Sequence, residues 1–106
     1  MLNCMKVIIL DETNEFILNI DEIDRSRSRK YIGLLEDFGH LLRMPYSKNI
    51  LPYIFELRVG GIHNIRLVYT FYKNFAIIFY AFMKKTEQIG VKEMNTIKTK
   101  YNSLQI

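Results

Sequence analysis

With 106 residues, the chain has room for one domain with an ordinary core and too little for two. Hydrophobic residues make up 49% and charged residues 25%, which excludes a disordered chain, and the longest apolar run, Phe75–Met83, is far short of a membrane span. The net charge of +4 is unevenly spread: residues 1–24 hold six acids against Lys6 alone, whereas residues 25–106 carry every arginine and all the remaining lysines, an excess that suits a polyanionic partner.

Met5–Leu10 is a short run rich in β-branched residues and predicts a buried first strand. The acids Asp11 and Glu12 then open a short helix through Ile20, where the helix dipole favours negative charge. A second helix is expected from Asp24 to Phe38, with Tyr31, Leu34, Leu35 and Phe38 on one apolar face and Gly39 ending it. The two prolines in Leu41–Pro52 predict a connecting loop. Strands follow over Tyr53–Val59, Ile62–Tyr72 and Phe75–Met83, separated by turns at Gly60-Gly61 and Lys73-Asn74. Thr86 is the expected cap of a last helix running to about Leu104, marked by Val91, Met94, Ile97, Tyr101 and Leu104. The order β-α-α-β-β-β-α defines a single α+β domain over residues 1–106.

Alternation constrains the central hairpin. Tyr53, Phe55, Leu57 and Val59 point one way and Ile54, Glu56 and Arg58 the other; in the next strand Ile65, Leu67, Tyr69 and Phe71 oppose Asn64, Arg66, Val68 and Thr70. A two-residue turn would push charge into the apolar face. A three-residue loop is therefore expected, pairing Leu57 with Ile65, Phe55 with Leu67 and Glu56 with Arg66. Arg58 and Arg66 then share one face, with Arg66 expected toward solvent.

His40 and His63 are the only histidines, and neither HxxxH nor CxxC spacing occurs, so no metal or cofactor is expected. Cys4, the single cysteine, can form no internal disulfide and is expected to be structural rather than nucleophilic. The N-terminus has no signal-peptide layout, because Lys6, Asp11 and Glu12 interrupt it; a cytoplasmic location is expected. What remains is a cationic and aromatic surface: Arg58, Arg66, Lys84 and Lys85, with Tyr69, Tyr72 and Tyr80 near them in sequence. Such groups suit RNA, since guanidinium binds phosphate through paired donors and tyrosine stacks on unpaired bases. They also suit metal-free cleavage, in which the 2′-hydroxyl attacks its own neighbouring phosphate. The protein then aligns, stabilises charge and moves protons. An ion-paired arginine surface, with Glu56 as partner, gives the same pattern.

Four tracts in order carry a resemblance: Leu41–Lys48 (LLRMPYSK), Ile54–Val59 (IFELRV), Ile65–Tyr69 (IRLVY) and Phe82–Thr86 (FMKKT), closed by a charged helix. They resemble the HigB-like, phage-derived branch of the RelE/ParE toxin superfamily over about residues 5–104. The resemblance implies a small twisted antiparallel sheet with two N-terminal helices and a C-terminal helix. It implies a toxin that cleaves translated mRNA on the ribosome, held inactive by a helix-turn-helix antitoxin of HigA type. By position, Arg66 matches an arginine that contacts the scissile phosphate, Lys85 the basic residue after the last strand, and Arg58 the arginine of the ELR tract. Tyr80 stands where relatives carry histidine and joins these as a catalytic candidate; Lys48, Lys84 and Arg43 are candidates for RNA contacts. Ile54 and Glu56 stand where RelE has lysines, and Val91 where it has a tyrosine. The superfamily also supplies a ParE-like inhibitor of DNA gyrase and an inactive prophage-derived binding module as alternatives.

Overall fold

The computed structural model describes residues 5–106, so Cys4 lies outside the described residues. The chain runs β1 (Lys6–Ile9), α1 (Asp11–Asn19), α2 (Glu22–Phe38), a 3-10 turn (Gly39–Leu41), β2 (Ser47–Leu51), β3 (Ile54–Val59), β4 (Asn64–Tyr72), β5 (Phe75–Lys84) and α3 (Val91–Ser103). The strands form one sheet in the order β1-β5-β4-β3-β2. The α+β class and the expected elements are all present, and β2 is an additional strand.

Two details of the sheet correct the sequence reading. Ser47–Leu51, expected as loop, pairs antiparallel with β3 as an edge strand; Pro45 and Pro52 flank it rather than interrupt it, and so cost it no ladder hydrogen bond. The sheet is mixed rather than antiparallel, because β1 pairs parallel with β5, its Val7 beside Ala76 and Ile8 beside Ile77.

Both faces of the sheet are covered. On one, Leu57, Val59, Ile65, Leu67, Tyr69 and Ile78 pack with Ile17 and Leu35 of α1 and α2. On the other, Ile54, Val68, Ile77, Phe79 and Phe82 pack with Ile97 and Met94 of α3. The buried stripe of α2 differs from the expected one: Phe38 is exposed, and Asp24 and Ser28 continue the line of Leu35 toward the N-terminus. Asp24 can be buried there because the imidazole of His63 lies 2.6 Å from its carboxylate. Helix α3 starts at Val91, after Gly90, and not at Thr86, whose hydroxyl donates to the Gln88 carbonyl instead.

The β3–β4 hairpin is offset by two residues from the expected pairing. Val59 lies beside Ile65, Leu57 beside Leu67 and Arg58 beside Arg66. A two-residue offset preserves every face assignment, so burial cannot distinguish the two registers. The hairpin loop is instead anchored from outside: Arg27 donates to the Gly60 carbonyl, and His63 docks on Asp24. The Arg27 guanidinium lies against Gly61, whose φ of +133° is a backbone conformation that residues with a side chain rarely adopt.

Candidate functional site

Pairing across the sheet places a set of polar side chains on the α3 side, toward the β3–β4 hairpin. Lys48 lies beside Glu56, Arg58 beside Arg66, Arg66 beside Phe82 and Asn64 beside Lys84. The strands thus contribute Lys48, Arg58, Arg66 and Lys84 to this region against one carboxylate, Glu56.

Lys84 reaches this face because β5 carries a bulge. Val68 pairs with Tyr80 but Tyr69 pairs with Ile78, so Phe79 is an extra residue. Ile77 and Phe79 pack on the α3 side, and so does Tyr80; after that step Phe82 and Lys84 share the side of Arg66. Continued without the bulge, the alternation of Ile77 and Phe79 would give that side to Lys85. Lys85 instead lies exposed, one residue past the end of β5.

The charges are layered. Glu56 is 2% exposed and Arg66 6%. Arg66 Nε lies 3.6 Å from one carboxylate oxygen of Glu56, and Arg58 Nε 3.8 Å from the other. These are ion-pair distances without a hydrogen bond: Glu56 Oε1 and both Nε atoms are buried with no hydrogen-bond partner. Arg66 Nη1 donates to the carbonyl of Ile65. The expectation that Arg66 faces solvent is therefore corrected: its side chain is buried beside Glu56, flanked on the same face by the buried side chains of Val68 and Phe82. Burial lowers the Arg66 pKa, the carboxylate of Glu56 opposes this, and Arg58 adds to the lowering.

Above this buried layer lie Arg58, with 28% of its side chain exposed, a half-buried Lys84 and an exposed Lys48. The Lys84 amine is lowered from the ordinary lysine value, first by partial desolvation and then by Arg66, with Arg58 and Lys48 acting the same way against Glu56. All the charged groups that the sheet brings together therefore act on Lys84.

Tyr80 is held apart from this group. Its hydroxyl donates to the carboxylate of Glu93 on α3, and Lys100 lies 5.6 Å from its ring centre. Desolvation, reinforced by the hydrogen bond to Glu93 and by the charges of Glu93 and Glu12, pushes its pKa well above the ordinary tyrosine value. Arg43 is exposed elsewhere, its guanidinium bonded to the carbonyls of His40 and Leu42. It lines a cavity at the open edge of the sheet together with Lys48.

The sequence reading gives Glu56 no role beyond pairing with an arginine; its signal was alternation, which places it with Arg58 and Arg66. The fold also assembles a group that spacing did not reveal: ligand-type atoms of Asp21, Asp24 and His63 lie within 4.8 Å of one another. The 2.6 Å contact between His63 Nδ1 and Asp24 accounts for this arrangement as the anchor of the hairpin loop. Among the described residues, no helix is long and apolar enough to cross a membrane.

The family model described as "Phage derived protein Gp49-like" matches residues 15–102, a stretch that includes Lys48, Glu56, Arg58, Arg66, Tyr80 and Lys84. A search of curated proteins returns no match.

Proposed function

The chain belongs to the Gp49-like family of phage-derived proteins, a family of toxin-like modules, and on that premise we propose that it is the toxin of a toxin–antitoxin pair and cleaves ribosome-bound mRNA. The observation that carries this reading is the layered cationic face: Lys48, Arg58 and Lys84 outside, with Arg66 beneath them on Glu56. One buried carboxylate among four cations leaves a surplus that RNA phosphates would neutralise.

In this mechanism the nucleophile is the 2′-hydroxyl of the RNA itself. It gives its proton to water as its oxygen bonds to the neighbouring phosphorus, so that a 2′,3′-cyclic phosphate forms while the bond from phosphorus to the 5′-oxygen breaks. Arg58 binds the reacting phosphate and offsets the charge that develops on it. Arg66, too deeply buried for a full bidentate contact, fixes Glu56 and through it Arg58, and raises the potential from below. Lys84 donates a proton to the departing 5′-oxygen, a role suited to an amine whose hold on its proton is weakened by its neighbours. Tyr80 ties β5 to α3 rather than transferring protons. A helix-turn-helix antitoxin of HigA type is the proposed neutralising partner.

The burial of Arg66 and the engagement of Tyr80 favour a second reading, a ParE-like inhibitor of DNA gyrase that uses the same face without chemistry. Expression without a partner, followed by pulse labelling, separates the two. Early loss of amino-acid incorporation with continued DNA synthesis is expected. An early DNA-damage response with translation intact would overturn the nuclease reading, and unimpaired growth would overturn both.

A further inference from the structure

The cavity at the β2 edge has a volume of about 710 Å³, within the range that holds cofactor-sized ligands, roughly 300–1,000 Å³. Its walls are aromatic: His40 and Phe71 lie 4.0 Å apart between ring centres, and Phe55 packs edge-on to Phe71 at 5.4 Å. Its charged lining residues are Arg43 and Lys48, and no acid lines it. Asn49 adds an amide whose nitrogen is committed to the carbonyls of Leu51 and Ile54, which leaves its oxygen to accept a hydrogen bond.

Tyr53 stands at the rim and is 75% exposed. Its backbone is left-handed at φ 66°, a conformation that costs a bulky residue about 1–2 kcal/mol. The structure holds it there: the Thr70 hydroxyl donates to the Tyr53 carbonyl at 2.6 Å. Nothing in the packing of the fold calls for a tyrosine ring in water on a strained turn. A ring poised to stack on a ligand does account for it.

Two residues join the cavity to the cationic face. Lys48 lines the cavity and also acts on Lys84. Met44 lines it and accepts a contact from Arg58 Nη1 at 3.1 Å. An occupant must therefore present a flat unsaturated ring to His40, Phe71 and Tyr53 and a negative charge to Arg43 and Lys48. It must also continue onto a surface that binds phosphate. We propose that the cavity takes one unstacked base of the bound RNA strand, next to the phosphate held at Arg58, and so reads the nucleotide beside the cleavage point. The proposal rests on the nuclease reading for its ligand.

The test uses the full-length chain and a short single-stranded 2′-O-methyl RNA, which cannot supply the attacking hydroxyl, carrying one 2-aminopurine. Fluorescence anisotropy reads affinity, and quenching of 2-aminopurine reads stacking. The informative variant is Tyr53→Asn, because asparagine accepts the left-handed backbone and removes only the ring. It should weaken binding about 5- to 150-fold and abolish quenching. Arg43→Ala should reduce the slope of log affinity against log salt by about 0.7. Lys84→Ala, on the cationic face, should weaken binding but leave the bound base quenched. If Tyr53→Asn and Arg43→Ala bind and quench like the wild type while Lys84→Ala weakens binding, the cavity assignment falls and the nuclease reading stands. The cavity is then left to a protein partner. If the wild type binds no RNA, the cavity assignment falls, and the nuclease reading, which concerns ribosome-bound mRNA, is decided separately by the pulse labelling.

Discussion

The buried ion pair under the cationic face makes a quantitative claim about stability. Replacing Arg66 by Met leaves the Glu56 carboxylate, 2% exposed, with Arg58 as its remaining ion-pair partner among the described residues, 3.8 Å away and without a hydrogen bond. Removing one partner of a buried pair costs about 3–5 kcal/mol, and the remaining arginine places this case near about 3. A domain of this size loses about 4–8 °C of melting temperature per kcal/mol, so a fall of about 12 °C or more is expected. Glu56→Leu should cost a similar amount, because it strands the Arg66 guanidinium. The double variant Glu56→Leu/Arg66→Met fills the space with apolar atoms and strands no charge beneath the surface. It should lie within about 1 kcal/mol of the wild type, or above it. Urea titration of the four proteins closes the cycle, with an expected coupling of about 5–6 kcal/mol, the two single losses less whatever the double variant costs. Additive single effects, or an Arg66→Met variant within about 0.5 kcal/mol of wild type, would refute the buried pair and restore a solvent-facing Arg66. The same result bears on function: loss of toxicity in an Arg66 variant is informative only at temperatures where the variant is still folded.

Further outcomes follow from the site. Lys84→Ala should reduce single-turnover cleavage about 10²-fold or more, whereas Lys85→Ala, outside the cluster, should reduce it much less; equal losses would remove the significance of the β5 bulge. Since Lys84 acts in its protonated form, the wild-type rate should fall as pH rises through its lowered pKa, below the ordinary lysine value of 10.5, and Lys84→Arg should flatten that limb. Tyr80→Phe should keep its activity and lose about 1 kcal/mol of stability with the hydrogen bond to Glu93. The raised pKa of Tyr80 means that this contribution is full below the ordinary tyrosine value of 10.0 and is lost as pH rises beyond it, so calorimetry of Tyr80→Phe should show a shallower alkaline decline than wild type. If the antitoxin covers the cationic face, its association rate should drop steeply between low and high salt; an unchanged rate, with Arg58 still accessible to modification in the complex, would place it elsewhere.

The elements of the fold were legible because burial with a fixed period leaves a mark in sequence. Alternation in β3 and β4 assigned Leu57, Val59, Ile65 and Leu67 to one face, and that assignment holds in the structure. Register was not legible, since an offset of two residues changes no face, and the contacts that select it, Arg27 to Gly60 and His63 to Asp24, join positions 33 and 39 residues apart. Strand β2 was hidden for a different reason. Ser47, Lys48 and Asn49 lack the apolar alternation of a covered strand, and an edge strand needs it less, because it pairs through its backbone on one side only.

For the site, the resemblance pointed to Lys85 as a catalytic candidate and to Lys84 as an RNA contact, and the bulge at Phe79 is what puts Lys84 on the face of Arg66. A bulge has no signature in a run such as Phe75–Met83, where both faces are apolar and a change of phase exposes nothing polar. It also solves a packing problem: it allows Phe79 and Tyr80 to face α3 together, so that the strand anchors the helix and then delivers a lysine to the charged end of the same face. The burial of Arg66 follows from the same coverage. Once Val68, Phe82 and Ile97 close the α3 side, an arginine on that side of β4 must be paired, and the glutamate two residues before Arg58 is in place to pair it. Glu56, which departs from the lysine expected by resemblance, is thus the residue that makes a buried arginine tolerable at the base of a cationic surface.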